Sequence, residues 1–243
     1  MVYESGFQPA VDDAVEQNAQ GDTLDAADVV DLQELAAEHA AEEEHAGEDH
    51  AGEDHTGEDH TEGDGHDHGD SDLDPHFWQD PARMADLGDA VAEQLADVDP
   101  DHAEEYAANA ADLRGDLEDL DRAYEQGLAS CQRDTVVVSH DAFNYLAKYG
   151  LVMEPIAGLS PGAEPTPADL ARLQDLIARD GITTVFSERL VSPRLSASLA
   201  RDAGVGTAVL DPIEGLSDQT ADQDYLSLME ANLAALEKAN GCS

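Results

Sequence analysis

Apolar residues change rhythm along this chain, and each change marks an element. Over 101–129, Tyr106, Ala110, Leu113, Leu117, Leu120, Tyr124 and Leu128 recur at spacings of four and three, with Asp, Glu and Arg between them. That is the one-sided stripe of an amphipathic helix. At 1.5 Å per residue it is roughly 43 Å long, enough to cross a whole molecule. A coiled coil would carry a similar stripe, but strands begin directly afterwards, which favours a helix packed along two lobes. From Thr135 the pattern alternates: TVVVSH strand, DAFNYLAKYG helix, LVMEPIAGL strand, PADLARLQDLIARDG helix, TTVFSE strand, PRLSASLARDAG helix, GTAVLDP strand and DQDYLSLMEANLAALEKA helix. Short apolar strands between helices predict βαβ units on a parallel sheet, so 131–243 reads as a complete α/β lobe.

The N-terminal third is sparser. Val2-Tyr3 reads as the tail of a strand, Gly6 as a turn, AVDDAVEQ as a helix after Pro9, and Asp28–Leu32 as a second short strand. Two strand scraps and one helix cannot cover both faces of a parallel layer. The first lobe (1–38, resumed at 73–100) therefore reads as incomplete, with upstream sequence missing. Pro81 opens a helix through ARMADLGDAVAEQLADV, with proline at its first position.

Between the two parts of that lobe, residues 39–72 carry no apolar period. AGEDH, AGEDH and TGEDH repeat every five residues, which matches neither helix nor strand, so a loop is expected. Eight of the ten histidines lie between His39 and His76. Imidazole is a common ligand for zinc, copper and nickel. His45, His50, His55, His60, His66 and His68 are therefore candidates for a low-affinity metal-gathering loop, working through tethered concentration. The alternative is an acidic spacer whose histidines are incidental. The run ends on Asp74-Pro75-His76-Phe77-Trp78, which holds the only tryptophan.

Charge adds an exclusion. Asp and Glu outnumber Lys and Arg by 56 to 11 over 243 residues. Such a surface argues against nucleic acid or anionic membrane as partners. It matches the acid-rich, lysine-poor surfaces of proteins from salt-loving organisms, where a Debye length of about 3 Å at molar salt screens self-repulsion. No apolar run is long enough to span a membrane, and no leader peptide is visible at MVYESGFQPA. Cys131 and Cys242 form no CxxC motif, and spacing alone leaves their pairing open.

Open parallel sheets bind ligands beyond the carboxyl ends of their strands. Three strands here end on His140, Glu188 and Asp211. Each has a structural explanation on its own, as a turn cap or an ion pair with Arg189 or Arg194. Their common rim, facing a lobe that carries DPHFW, points to a metal site.

DPHFWQDPARM, SHDAFNYLAKYGL, GLSPGAEPTPADLARLQDLI, VFSERLVSPRLSASLARDAG, VLDPIEGL and DYLSLMEANLAAL resemble the zinc-binding, ZnuA-like branch of the TroA-like metal receptors that serve ABC importers. Residues 1–35 resemble the later half of that family's first lobe. The resemblance implies two α/β lobes joined by a long linking helix (101–130), with the metal between them. It implies His76 and His140 as ligands, Asp211 at a position that is a ligand in part of that family and a near neighbour in the rest, and Glu188 just behind them. It further implies Zn2+ as cargo, a membrane permease as partner, a monomeric, extracytoplasmic and lipid-anchored receptor, and no enzymatic activity. A first-lobe ligand histidine of the family has no counterpart here, so truncation, or substitution by His66 or His68, is expected. Imidazole-rich ligands favour zinc over manganese, the alternative cargo. A histidine-rich metal buffer is the alternative function. A zinc hydrolase is disfavoured, since neither HExxH nor GxSxG is present.

Overall fold

The computed structural model describes residues 2–3, 8–19, 21–34, 73–159 and 164–243. The proposed loop histidines from His45 to His68, the turn at Gly6 and the centre of the GLSPGAEPT stretch lie outside them. Four parallel strands form the largest sheet: β5 (Thr135–Val138), β6 (Val152–Pro155), β7 (Thr184–Ser187) and β8 (Gly206–Val209), in the order β6-β5-β7-β8. The fold is therefore α/β, as the alternating pattern requires.

Strand alternation sorts the core into two layers. Val136 and Val138 on β5 pack with Leu120, Tyr124 and Leu128 of the long helix, and with Met229, Leu233 and Leu236 of the C-terminal helix. Val137 points the other way, onto Leu173, Leu176, Ile177, Leu199 and Ala200. Those residues belong to two helices that cross between strands, Pro167–Asp180 and Arg194–Ala203. Thr166 and Asp169 close a capping box on the first of these, and Gly181 ends it in the left-handed conformation.

The long helix spans Ala103–Leu128 after a short 3-10 turn at Pro100–His102, giving about 39 Å. Its stripe is used unevenly. Leu117, Leu120, Tyr124 and Leu128 are buried, whereas Leu113 is 42% exposed. It lies between the preceding helix, Pro81–Val98, and the C-terminal helix, Tyr225–Asn240. Arg114 ties it to the former by donating to Asp86 and Asp89. A disulfide joins Cys131, just past the long helix, to Cys242, just past the C-terminal helix. It closes a separation of 111 residues, a constraint worth about 4–5 kcal/mol in the chain-entropy model.

The N-terminal segment is small. β1 (Val2–Tyr3) pairs parallel with β2 (Leu24–Asp25), and β3 (Gln33–Glu34) pairs antiparallel with β4 (Leu73–Asp74). Two expectations fail locally. Asp28–Leu32 is not a strand, because Asp25 caps a one-turn helix over Ala26–Val29 by accepting from Ala27 N–H. The capping bond outweighs the strand propensity of the paired valines. DAFNYLAKYG forms a 3-10 helix, Asn144–Tyr149, rather than an α-helix, ended by Gly150 at φ 85°. This segment carries Tyr145, which packs with Ala26, Val30 and Phe77 and so joins the N-terminal segment to the sheet.

Candidate metal centre

His76 is placed by the DPH sequence itself. Asp74 ends β4, and its Oδ1 accepts from the His76 backbone N–H at 2.9 Å and lies 2.7 Å from His76 Nδ1. Pro75 presets the turn between them, and His76 then caps the 3-10 helix Phe77–Gln79. With the Nδ1 proton held by Asp74, Nε2 carries the lone pair a metal would use. The other oxygen of Asp74 accepts from Asn144 Nδ2 at 3.1 Å, and its carbonyl accepts from Tyr145 Oη at 2.7 Å.

His140 is placed by the sheet. It lies just past β5, and its Nδ1 is 2.5 Å from Oε1 of Glu188, which lies just past β7. The Ser139 hydroxyl donates to that same oxygen. His140 is fully buried and His76 nearly so, and their rings stand edge to face with centroids 5.7 Å apart.

The two Nε2 atoms converge on one carboxylate. Oε1 of Glu214 lies 3.3 Å from His140 Nε2 and 3.6 Å from His76 Nε2. Donor atoms of His76, His140 and Glu214 all fall within 4.8 Å of one another. His140 Nε2 is buried and makes no well-directed hydrogen bond among the described residues, even though Glu214 is within ion-pair range. A buried imidazole nitrogen with its ring fixed through the opposite nitrogen is the arrangement a metal ligand takes once its proton is displaced.

Electrostatics match that geometry. Burial pushes the His140 imidazolium down, but Glu188 and Glu214 outweigh it and raise its pKa to about 9. His76 is likewise depressed by burial and raised more strongly by Asp74 and Glu214. His140 and then His76 pull Glu214 down to about 2. The pocket is built for positive charge.

Asp211, proposed from the sequence as a ligand, is held by neighbouring groups of the chain. Its Oδ2 accepts from Arg189 Nε at 3.0 Å, and its Oδ1 accepts from Ile213 N–H at 2.9 Å. Both oxygens are thus engaged, and Asp211 is absent from the converging group. Glu214, three residues on in the same VLDPIEGL stretch, is the carboxylate in that group. The sequence did contain it, but the strand-end rule selects the first carboxylate after β8 and not the one that follows a turn. Glu188 lies against Nδ1 of His140.

The chain matches, over residues 1–239, the family model described as zinc-uptake complex component A, periplasmic. It belongs to that family. Among its relatives is the zinc-binding lipoprotein AdcA of Streptococcus pneumoniae, 41% identical over 184 residues, covering 73% of this chain and 36% of the relative. Another is the high-affinity zinc uptake system protein ZnuA of Bacillus subtilis, 35% identical over 168 residues, covering 68% of this chain and 53% of the relative. The chain thus aligns with between about a third and a half of these relatives' length. Among solved structures, the laminin binding protein of Streptococcus agalactiae superposes with a TM-score of 0.77 at 25% identity, covering 98% of this chain and 79% of that one. The Zn(II)-bound ZnuA-like domain of Streptococcus pneumoniae AdcA gives a TM-score of 0.70 at 30% identity, with the same coverage. Among the described residues of this family member, no helix is long and apolar enough to cross a membrane.

Proposed function

We propose that this chain is the zinc-receiving component of an ABC importer. It takes Zn2+ between its N-terminal segment and its C-terminal α/β unit and hands it to a membrane permease. The observation that carries this reading is the meeting of His76 Nε2 and His140 Nε2, from separate parts of the chain, at Glu214. Two neutral imidazoles and one carboxylate suit zinc better than manganese, which prefers oxygen donors. Three protein donors leave one tetrahedral position, which water fills in this reading. Membership of the zinc-uptake component A family and the zinc-binding relatives support the same cargo.

In this reading the receptor works outside the cytoplasm as a monomer, lipid-anchored at the membrane. The disulfide fits an oxidising compartment. His45 to His68 would gather zinc near the site, and the acid-rich surface would suit a concentrated salt medium. The boundaries proposed are 1–38 and 73–100 for the N-terminal lobe, 101–130 for the linking helix and 131–243 for the C-terminal lobe. Competition of the whole chain against a chelator of known zinc affinity tests the proposal. One site is expected, weakened by the missing first-lobe histidine, lost in His140→Ala and kept when 39–72 are deleted. If that deletion removes all binding while His140→Ala removes none, the chain is a histidine-rich buffer.

A further inference from the structure

The peptide between Pro212 and Ile213 is held at both edges. Its carbonyl accepts from Trp78 Nε1–H at 2.7 Å and from Gln79 Nε2–H at 2.6 Å, so one short segment supplies both donors. Its N–H donates to Asp211 Oδ1 at 2.9 Å. Asp211 is itself fixed, by Arg189 on the other oxygen and by Asn232, which accepts from its N–H at 2.8 Å and donates to its carbonyl at 2.7 Å. Ile213 then adopts φ 59°, the one positive φ at a non-glycine among the described residues. For a β-branched residue that conformation is strained and persists only where its surroundings enforce it. Turning the 212–213 peptide plane over would return Ile213 to negative φ, but only by breaking all three hydrogen bonds. The next residue is Glu214.

We propose that Trp78 and Gln79 are positioning residues for Glu214: by holding the Pro212 carbonyl, they keep Ile213 in the left-handed conformation that presents the Glu214 carboxylate to His76 and His140. The inference deepens the metal-binding reading and rests on it. Its consequence is a coupling. Trp78 and Gln79 follow His76 directly, so the segment that brings the first imidazole also locks the loop that brings the carboxylate. The third donor is in place only while the two parts of the chain are docked. Tyr225 Oη, donating to the Trp78 carbonyl at 2.7 Å, anchors the same segment from the C-terminal helix.

Gln79 is the discriminating residue, because Trp78 also touches the His76 ring edge-on, with centroids 5.3 Å apart. Gln79→Met keeps the buried volume and deletes the donor; Trp78→Phe keeps a ring and deletes the indole N–H. Zinc affinity of the whole chain is measured by chelator competition, alone and combined with Glu214→Gln, and the visible absorption of bound Co2+ is recorded for each. Both variants should bind zinc tenfold or more weakly, and their Co2+ spectra should move to that of Glu214→Gln. Gln79→Met should cost nothing further in the Glu214→Gln background. An unchanged Co2+ spectrum, or the same fold-loss with and without Glu214, overturns the proposal. Should Gln79→Met fail to fold, Trp78→Phe decides by the same two criteria. Failure of the unaltered chain to bind zinc at all instead overturns the metal-binding reading.

Discussion

The two histidines of the centre use one chemical device built in two ways. Each gives Nδ1 to a carboxylate and turns Nε2 to Glu214. For His76 the carboxylate is two residues away, on the same turn. For His140 it is 48 residues away, on a neighbouring strand. The local version is fixed by backbone geometry: Asp74 binds the His76 N–H and ring together, with proline between. The remote version exists only once β5 and β7 lie side by side. A site joining the two is half encoded in a motif and half in a sheet, so it should respond differently to perturbation on its two sides.

The largest effects come from removing the shared elements, which erases the difference. His76→Ala, His140→Ala and Glu214→Gln should each weaken zinc binding by more than about 100-fold, beyond the 10–100-fold typical of groups behind a ligand. Asp211→Asn should cost less than Glu214→Gln, since Asp211 acts on the loop and not on the metal. Equal losses for those two in chelator competition would return Asp211 to the ligand set and break the geometric assignment.

Next come the carboxylates behind the rings. Glu188→Gln and Asp74→Asn should each cost about 10–100-fold in zinc affinity. They should part in stability. Asp74 also accepts from Asn144 across the interface, and an amide there sets donor against donor. Both should lower the melting temperature of the metal-free chain, because Glu188 also accepts from Ser139 and favours the His140 imidazolium, but Asp74→Asn should lower it more. Equal melting shifts for the two would mean that the local device is no more embedded than the remote one.

How far the site was legible follows the same division. DPH announces its turn within three residues, and strand-end His140 and Glu188 follow from the parallel-sheet rule, so these positions could be named from sequence. Glu214 could not, because its placement depends on a positive φ at Ile213 that is enforced by Trp78 and Gln79 from over 130 residues away. The strands and crossover helices of 135–240 were legible from periodicity, since both sheet faces are covered. The N-terminal scraps were less so. Over 26–29 a single aspartate cap decides between strand and helix, and periodicity has too few residues to register it.

pH sharpens the comparison further. Zinc needs neutral imidazole, and His140 holds its proton up to about pH 9 because Glu188 and Glu214 outweigh its burial. Affinity should then climb with pH toward about 9 and flatten above it, falling about tenfold per unit below for each proton displaced. Glu214, held down to about 2 by the two imidazoles, stays ionised throughout and does not bend the curve. The break thus lies well above the ordinary imidazole value of about 6.5 that sequence alone would give. Glu188→Gln should move the break to lower pH. A break unmoved by Glu188→Gln would show that the remote carboxylate only orients the ring.

The smallest effect tests whether the local device is wholly local. Tyr145 Oη donates to the Asp74 carbonyl at 2.7 Å and accepts from Gln33 N–H at 3.0 Å, so one hydroxyl stitches β3 and β4 to the 3-10 helix of the sheet unit. Tyr145→Phe keeps the buried ring and removes both bonds. Two backbone groups then lose a partner, a loss of about 1–3 kcal/mol in stability. Asp74 keeps its side-chain hold on His76, so zinc affinity should fall only a few-fold, far less than in Asp74→Asn. If chelator competition instead gives a loss as large as Asp74→Asn, then the turn cannot hold His76 without the sheet unit behind it. The local device would then be as dependent on tertiary structure as its remote counterpart.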